Sequence, residues 1–104
     1  MQVSVVHFAG CPSWRAAGRR LRAALDEHGR SDIAVAYVPM ASGAAAAAAG
    51  FRGLPTLLID GHDRFPSGPM PDGLTCRLYP TATGLAGAPD QADIAAALRE
   101  RIPS

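Results

Sequence analysis

The feature that most constrains the fold is an apolar segment, Val3 to Ala9, that passes through Gly10-Cys11-Pro12 into a helical pattern. Its β-branched valines and nearly continuous apolar character predict a strand buried on both faces of a sheet. Pro12 suits the first turn of a helix, where its missing N–H costs nothing. We therefore expect a central strand that leads into a helix through a turn carrying a cysteine.

The next segments extend this strand and helix into a larger unit. Apolar residues at spacings of three and four predict that the helix runs from Pro12 to a stop at Gly29. A second apolar run, Ile33 to Val38, predicts a strand that Pro39 ends. A strand, helix and strand of these lengths imply a right-handed crossover, so the first two strands should be parallel.

The second half of the chain predicts two more strands and two more helices. The alanine tract Ser42–Ala49 predicts a short helix, because alanine has the highest helix propensity. Thr56–Asp60 and Thr75–Tyr79 predict the third and fourth strands, separated by a proline- and glycine-rich loop over 61–74. Asp90 is expected to cap the last helix.

Length and composition limit the class of protein. The chain has 104 residues and a net charge of +1, which suits a single domain spanning 1–104. We expect no secretory leader, and no apolar run approaches the ~20 residues of a membrane span. These features predict a cytoplasmic domain with reduced thiols, no cofactor, no bound metal, and no nucleic-acid or membrane partner.

Cys11 is the main candidate for chemistry. A thiol at a helix N-terminus lies near unpaired backbone N–H groups and the positive end of the helix dipole. Such a position can lower a thiol pKa from about 8.5 to about 3.5–7.5, which makes the thiolate a nucleophile at neutral pH. Arg15, four residues later, could also support a thiolate. The alternative is a buried and inert cysteine.

The order of elements and two motifs together resemble the thioredoxin superfamily, and in particular short bacterial thioredoxin-like proteins with a Cys-Pro-x-Trp turn. The motifs are Gly10-Cys11-Pro12-Ser13-Trp14 and Gly53-Leu54-Pro55-Thr56. The expected fold is α/β, with a four-stranded mixed sheet in the order 2-1-3-4 and helices on both faces. The resemblance also implies a cis Leu54–Pro55 bond. It implies that Cys11 is catalytic and that the substrate-binding residues are Pro12, Ser13, Trp14, Leu54, Pro55 and Thr56.

The motif departs from the dithiol members of that superfamily. Trp14 stands where they have their second cysteine, so resolution within the motif is impossible. Cys76 is the candidate for a resolving or second thiol. If the fourth strand returns antiparallel to the third, however, Cys76 begins about 10 Å from the site on strand spacings. A disulfide needs Cα atoms within about 7 Å, which favours a buried structural role for Cys76.

Three functions follow from these features. The first is a monothiol oxidoreductase, in which Cys11 attacks a protein disulfide or an electrophilic thiol adduct and a low-molecular-weight thiol releases the product. The second is a carrier of soft metal ions such as mercury or copper, bound by Cys11 and Cys76. The third is a binding module that keeps the fold without the chemistry. His7 is predicted to be a core histidine, and His62 a turn residue.

Overall fold

The computed structural model describes residues 1–8, 10–42, 44–45, 53–65 and 76–101. Within these ranges the chain forms five strands and two helices. They are β1 (Val3–His7), α1 (Trp14–Glu27), β2 (Val35–Pro39), β3 (Thr56–Ile59), β4 (Tyr79–Thr81), β5 (Gly84–Ala86) and α2 (Gln91–Arg99). Neither of these helices has the length and apolarity needed to cross a membrane.

The main sheet has three strands in the order β2-β1-β3. β1 runs parallel to β2 and antiparallel to β3, so that Val3 pairs with both Val35 and Ile59. The side chains of Val3, Val5 and Val6 are buried. β1 is therefore the central strand, as its unbroken apolar character predicted.

The predicted four-stranded sheet is wrong. In the described part of the segment expected to form its last strand, Cys76 makes only an isolated bridge with Leu54. A strand ladder starts at Tyr79, and its partner is β5 rather than β3. β4 and β5 form a separate two-stranded hairpin. Pro80, the residue after the predicted strand, is exposed inside β4 opposite Leu85. A proline is tolerated there because a strand in a two-stranded hairpin has an outer edge that needs no N–H donor.

The prediction of helices on both faces is also wrong for the described part of the chain. α1 and α2 pack against each other and share one core with Val3 and Val5 of β1 and with Ile59 of β3. Val6 belongs to a smaller cluster with Leu54, Phe8, Met40 and Leu58. Of the predicted helix Ser42–Ala49, only residues 42, 44 and 45 lie within the described ranges.

Arginine side chains attach α1 to the loops around it. Arg20 donates to the carbonyl oxygens of Ala88 and Pro89, 3.3 and 2.9 Å away. Arg22 donates to the carbonyl oxygen of Ile33 at 2.5 Å. These bonds satisfy carbonyls that regular structure leaves free, and they fix the orientation of α1 and of the turn that precedes it.

Gly18 lets the ring of Tyr37 lie against α1. A Cβ atom at position 18 would overlap the Tyr37 hydroxyl and come within 2.9 Å of the ring. Tyr37 is 47% exposed, so its ring can move, at the cost of its contacts. A glycine inside a helix costs stability relative to alanine, and this packing accounts for its presence.

The effect of substituting Gly18 on stability should therefore depend on whether Tyr37 is present. In the Tyr37→Ala background, Gly18→Ala should raise the free energy of unfolding by about 0.5–1 kcal/mol, because only the helix propensity changes. In the wild-type background the same substitution should give no gain, because the ring must move. Urea denaturation of the four proteins measures the coupling. Equal gains in both backgrounds would contradict the packing.

Candidate functional site

The two cysteines are joined by a disulfide. Cys11 and Cys76 are 65 residues apart in sequence, and their Cα atoms are 5.5 Å apart. The expectation that Cys76 begins about 10 Å from the site, and that it is a separate buried thiol, is wrong. Within the described residues no cysteine is free.

The path of the chain after β3 explains this error. Cys76 forms an isolated parallel bridge with Leu54, and the N–H of Arg77 donates to the Leu54 carbonyl at 2.9 Å. Leu54 directly precedes Pro55 at the start of β3, the end nearest Cys11. Cys76 therefore lies at the same end of β3 as Cys11. The estimate of about 10 Å assumed that Cys76 lies at the opposite end of β3.

The Leu54–Pro55 peptide bond is cis, as predicted. Leu54, Pro55 and Thr56 are all buried. The Leu54 carbonyl accepts a hydrogen bond from Arg77, and the Pro55 carbonyl accepts one from the Tyr79 hydroxyl at 2.5 Å. The chain's own 76–79 segment therefore occupies both carbonyls.

Arg77 is the centre of a buried polar network. Its side chain has no exposed surface, and its Nη1–H group donates to Asp63 Oδ2 at 2.6 Å. The same group lies 3.3 Å from Thr56 Oγ1, and Nη2–H donates to the Phe65 carbonyl at 2.6 Å. The guanidinium also lies 4.5 Å from the centre of the Tyr79 ring. This network joins the start of β3 to the residues that follow it.

The turn before α1 carries Cys11 and the other predicted binding residues. The Cys11 N–H donates to the Phe8 carbonyl at 3.2 Å. Pro12 is exposed, and Ser13 is half-buried. Ser13 packs so closely on Gly87 that a Cβ atom at position 87 would overlap the Ser13 hydroxyl. Cys11 is only 2% exposed, and Cys76 is partly exposed. The two cysteine residues therefore differ in exposure.

Trp14 lies on the β2 side of this turn. Its ring stacks on His7, with centroids 4.2 Å apart, and meets the Tyr37 ring edge-on at 5.7 Å. The Arg15 guanidinium lies 5.2 Å from the centre of the Trp14 ring. His7 is thus a half-buried member of an aromatic stack, and its predicted place in the core is wrong.

A groove of about 530 Å³ opens beside the aromatic stack. Its lining includes Phe8, Pro12, Trp14 and Met40. Leu54 and Pro55, predicted to bind substrate, are buried and are not among its lining residues.

The remaining candidate residues have structural positions. His62 lies in the turn after β3, where its carbonyl accepts from the Ile59 N–H at 2.9 Å. The described residues contain no cluster of three or more His, Cys, Asp or Glu side chains that could hold a metal ion. Sequence reasoning missed Arg77, Tyr79 and Asp63. The available signal was an arginine among apolar neighbours in a segment predicted to be a strand.

No protein-family model, no curated protein and no solved structure matches this chain. The resemblance to the thioredoxin superfamily accordingly stays a prediction based on two short motifs.

The two partners of the buried ion pair should differ in their effect on stability. Asp63→Asn should lower the free energy of unfolding by about 1.5–3 kcal/mol, because it leaves a buried guanidinium without its counter-charge. Arg77→Met should cost less, because Asp63, with 29% of its side chain exposed, can be hydrated. Asp32→Asn in the exposed Arg30–Asp32 pair is the control and should leave stability unchanged. The reverse order for the first two variants would contradict this.

Tyr79 should make the fold sensitive to alkaline pH. Burial raises the pKa of its phenol well above the ordinary value. Above pH ~10 the unfolded chain loses this proton while the native chain keeps it, so stability falls by up to about 1.4 kcal/mol per pH unit. The chain has no lysine and only two tyrosines, so few other groups titrate there while the disulfide is intact. Tyr79→Phe should flatten the slope in urea titrations, whereas Tyr37→Phe should keep it.

Proposed function

We propose that this protein is a thiol–disulfide oxidoreductase whose redox-active group is the Cys11–Cys76 pair. The observation that supports it best is the disulfide between cysteines 65 residues apart, formed at the turn that precedes α1. The cis Leu54–Pro55 bond lies in the segment that pairs with Cys76, in keeping with the resemblance to the thioredoxin superfamily. The substrates would be low-molecular-weight thiols or protein disulfides.

The proposed reaction is a two-step exchange. A thiolate of the reduced protein attacks a substrate disulfide, forms a mixed disulfide and releases one substrate thiol. The second protein thiolate then attacks the protein sulfur of the mixed disulfide, closes the Cys11–Cys76 bond and releases the other substrate thiol. The protein loses two electrons and two protons, and the substrate disulfide gains them. The reverse sequence oxidises a substrate dithiol.

The position of Cys76 changes the mechanism expected from the motif. With Trp14 in place of a second cysteine, a single-cysteine enzyme would need an external thiol for resolution. The 5.5 Å separation of the Cys11 and Cys76 Cα atoms supports resolution within the chain instead. The proposed enzyme therefore uses two thiols that are distant in sequence.

A soft-metal carrier is the second candidate. The observation that favours it is the same proximity, because reduction of the disulfide would leave two sulfurs close enough to bind one mercuric or cuprous ion. Such an ion would compete with formation of the disulfide. Metal binding by the reduced protein, together with slow exchange of the oxidised protein, would favour the carrier.

A redox-active disulfide should react faster in the folded protein than in the unfolded one. We expect glutathione at pH 7 to reduce the folded protein at least about tenfold faster than the protein in 8 M urea, because the fold positions and stabilises a leaving thiolate. Alkylation at timed intervals followed by mass spectrometry measures both rates. A structural disulfide would react more slowly when folded, and that result would exclude the proposed function and leave the binding module.

Single-cysteine variants provide the matched controls. In single-turnover reactions without added thiol, the reduced Cys11→Ser and Cys76→Ser proteins should each stop at the mixed disulfide with a disulfide substrate, because closing the internal bond needs both sulfurs. The chain has two cysteines, so the double variant supplies a thiol-free baseline. Full turnover by either single variant would show that the pair is not the redox group.

A further inference from the structure

We infer that Cys76, rather than Cys11, is the sulfur that forms the mixed disulfide with the substrate, and that Cys11 is the internal thiol that leaves and returns. This assignment rests on the proposed function. It reverses the roles expected from the Cys-Pro motif, where Cys11 meets the substrate. Three features of the site support it.

The first feature is access. Thiol–disulfide exchange requires an incoming thiolate to reach the sulfur that it attacks. Cys11 is 2% exposed, whereas Cys76 is partly exposed. Cys76 Sγ lies 3.7 Å from the carbonyl oxygen of Gly10, an exposed residue of the turn. An external thiolate therefore meets Cys76 first.

The second feature is the environment of Cys11 as a leaving group. Cys11 lies three residues before Trp14, the first residue of α1, so the positive end of the helix dipole favours negative charge on its sulfur. The first turn of α1 contains no acidic side chain, and the Ser13 side chain makes no capping hydrogen bond within the described residues. Nothing in that turn cancels the dipole, and a stabilised thiolate leaves faster.

The third feature is the charge beside Cys76. The neighbouring Arg77 guanidinium points into the core and is already paired with Asp63 at 2.6 Å. Its positive charge is neutralised there and gives the Cys76 sulfur little stabilisation. Of the two sulfurs, Cys11 is the one whose surroundings favour the departing negative charge.

The balanced sequence with glutathione follows from these roles. A glutathione thiolate attacks Cys76 Sγ, the Cys11–Cys76 bond breaks, and its electron pair leaves on Cys11. A second glutathione thiolate attacks the glutathione sulfur of the mixed disulfide, and Cys76 leaves as a thiolate. The protein disulfide gains two electrons, two glutathione molecules are oxidised to one disulfide, and their two protons go to the protein thiols.

The assignment can be tested on the unmodified chain. The oxidised protein is mixed with glutathione at pH 7, quenched with acid at the earliest times, alkylated and digested with trypsin. Arginines at 15, 64 and 77 put Cys11 in peptide 1–15 and Cys76 in peptide 65–77. We expect at least about tenfold more glutathione on Cys76 than on Cys11, because both access and the leaving group favour that attack.

The outcomes separate this inference from the function on which it rests. Glutathione found first on Cys11, or equally on both cysteines, would overturn the assignment while leaving the redox function intact. A folded protein that reacts more slowly than the protein in urea would overturn the redox function itself. Cys11→Ser gives an independent measurement: at a pH above the ordinary thiol pKa of about 8.5, where both thiols are ionised, it should form a mixed disulfide with glutathione disulfide at least about tenfold faster than Cys76→Ser does, because its remaining sulfur is the accessible one.

Discussion

The site depends on the hydrogen bonds and the ion pair made by the buried guanidinium of Arg77. The guanidinium connects Thr56 at the start of β3 with Asp63 and the carbonyl of Phe65, which follow β3 in the chain. Removing an ion pair from water costs several kcal/mol per ion, and a close-packed apolar cluster is often at least as stable. The network thus adds little stability, and its effect is geometric. It places the residue next to Cys76 in one position relative to β3, so Cys76 reaches Cys11.

The parts of the fold that local patterns determine could be predicted from the sequence. The central position of β1 follows from an apolar run without polar interruption, which requires burial on both faces. Gly29 lies just after the end of α1, as expected, and has a φ of 70°. Glycine adopts that conformation easily. Asp90 is the N-cap residue of α2, as expected, but its carboxylate accepts a hydrogen bond from the Ala82 N–H of the hairpin and makes no capping hydrogen bond to its own helix.

The errors come from partners that no local pattern specifies. The strand predicted to end at Tyr79 could pair with any open strand, and its partner lies only a few residues later in β5. The position of Cys76 depends on how the chain travels between residues 61 and 76, and strand spacing alone assumed a straight return. Cys11 could be identified from the strand, turn and helix around it. Its pairing with a residue 65 positions away could not.

The long separation between the two cysteines links the redox state of the protein to its folding. A covalent link across 65 residues restricts the unfolded chain far more than the folded one, where the ends already meet. The chain-entropy model puts this difference at about 4 kcal/mol. Folding and oxidation form a thermodynamic cycle. The same free energy is therefore the difference between the free energies of disulfide formation in the folded and in the unfolded chain. Where the reduced chain is partly unfolded, a condition that strengthens the fold therefore also favours the oxidised form, and a reductant lowers the protein's resistance to heat.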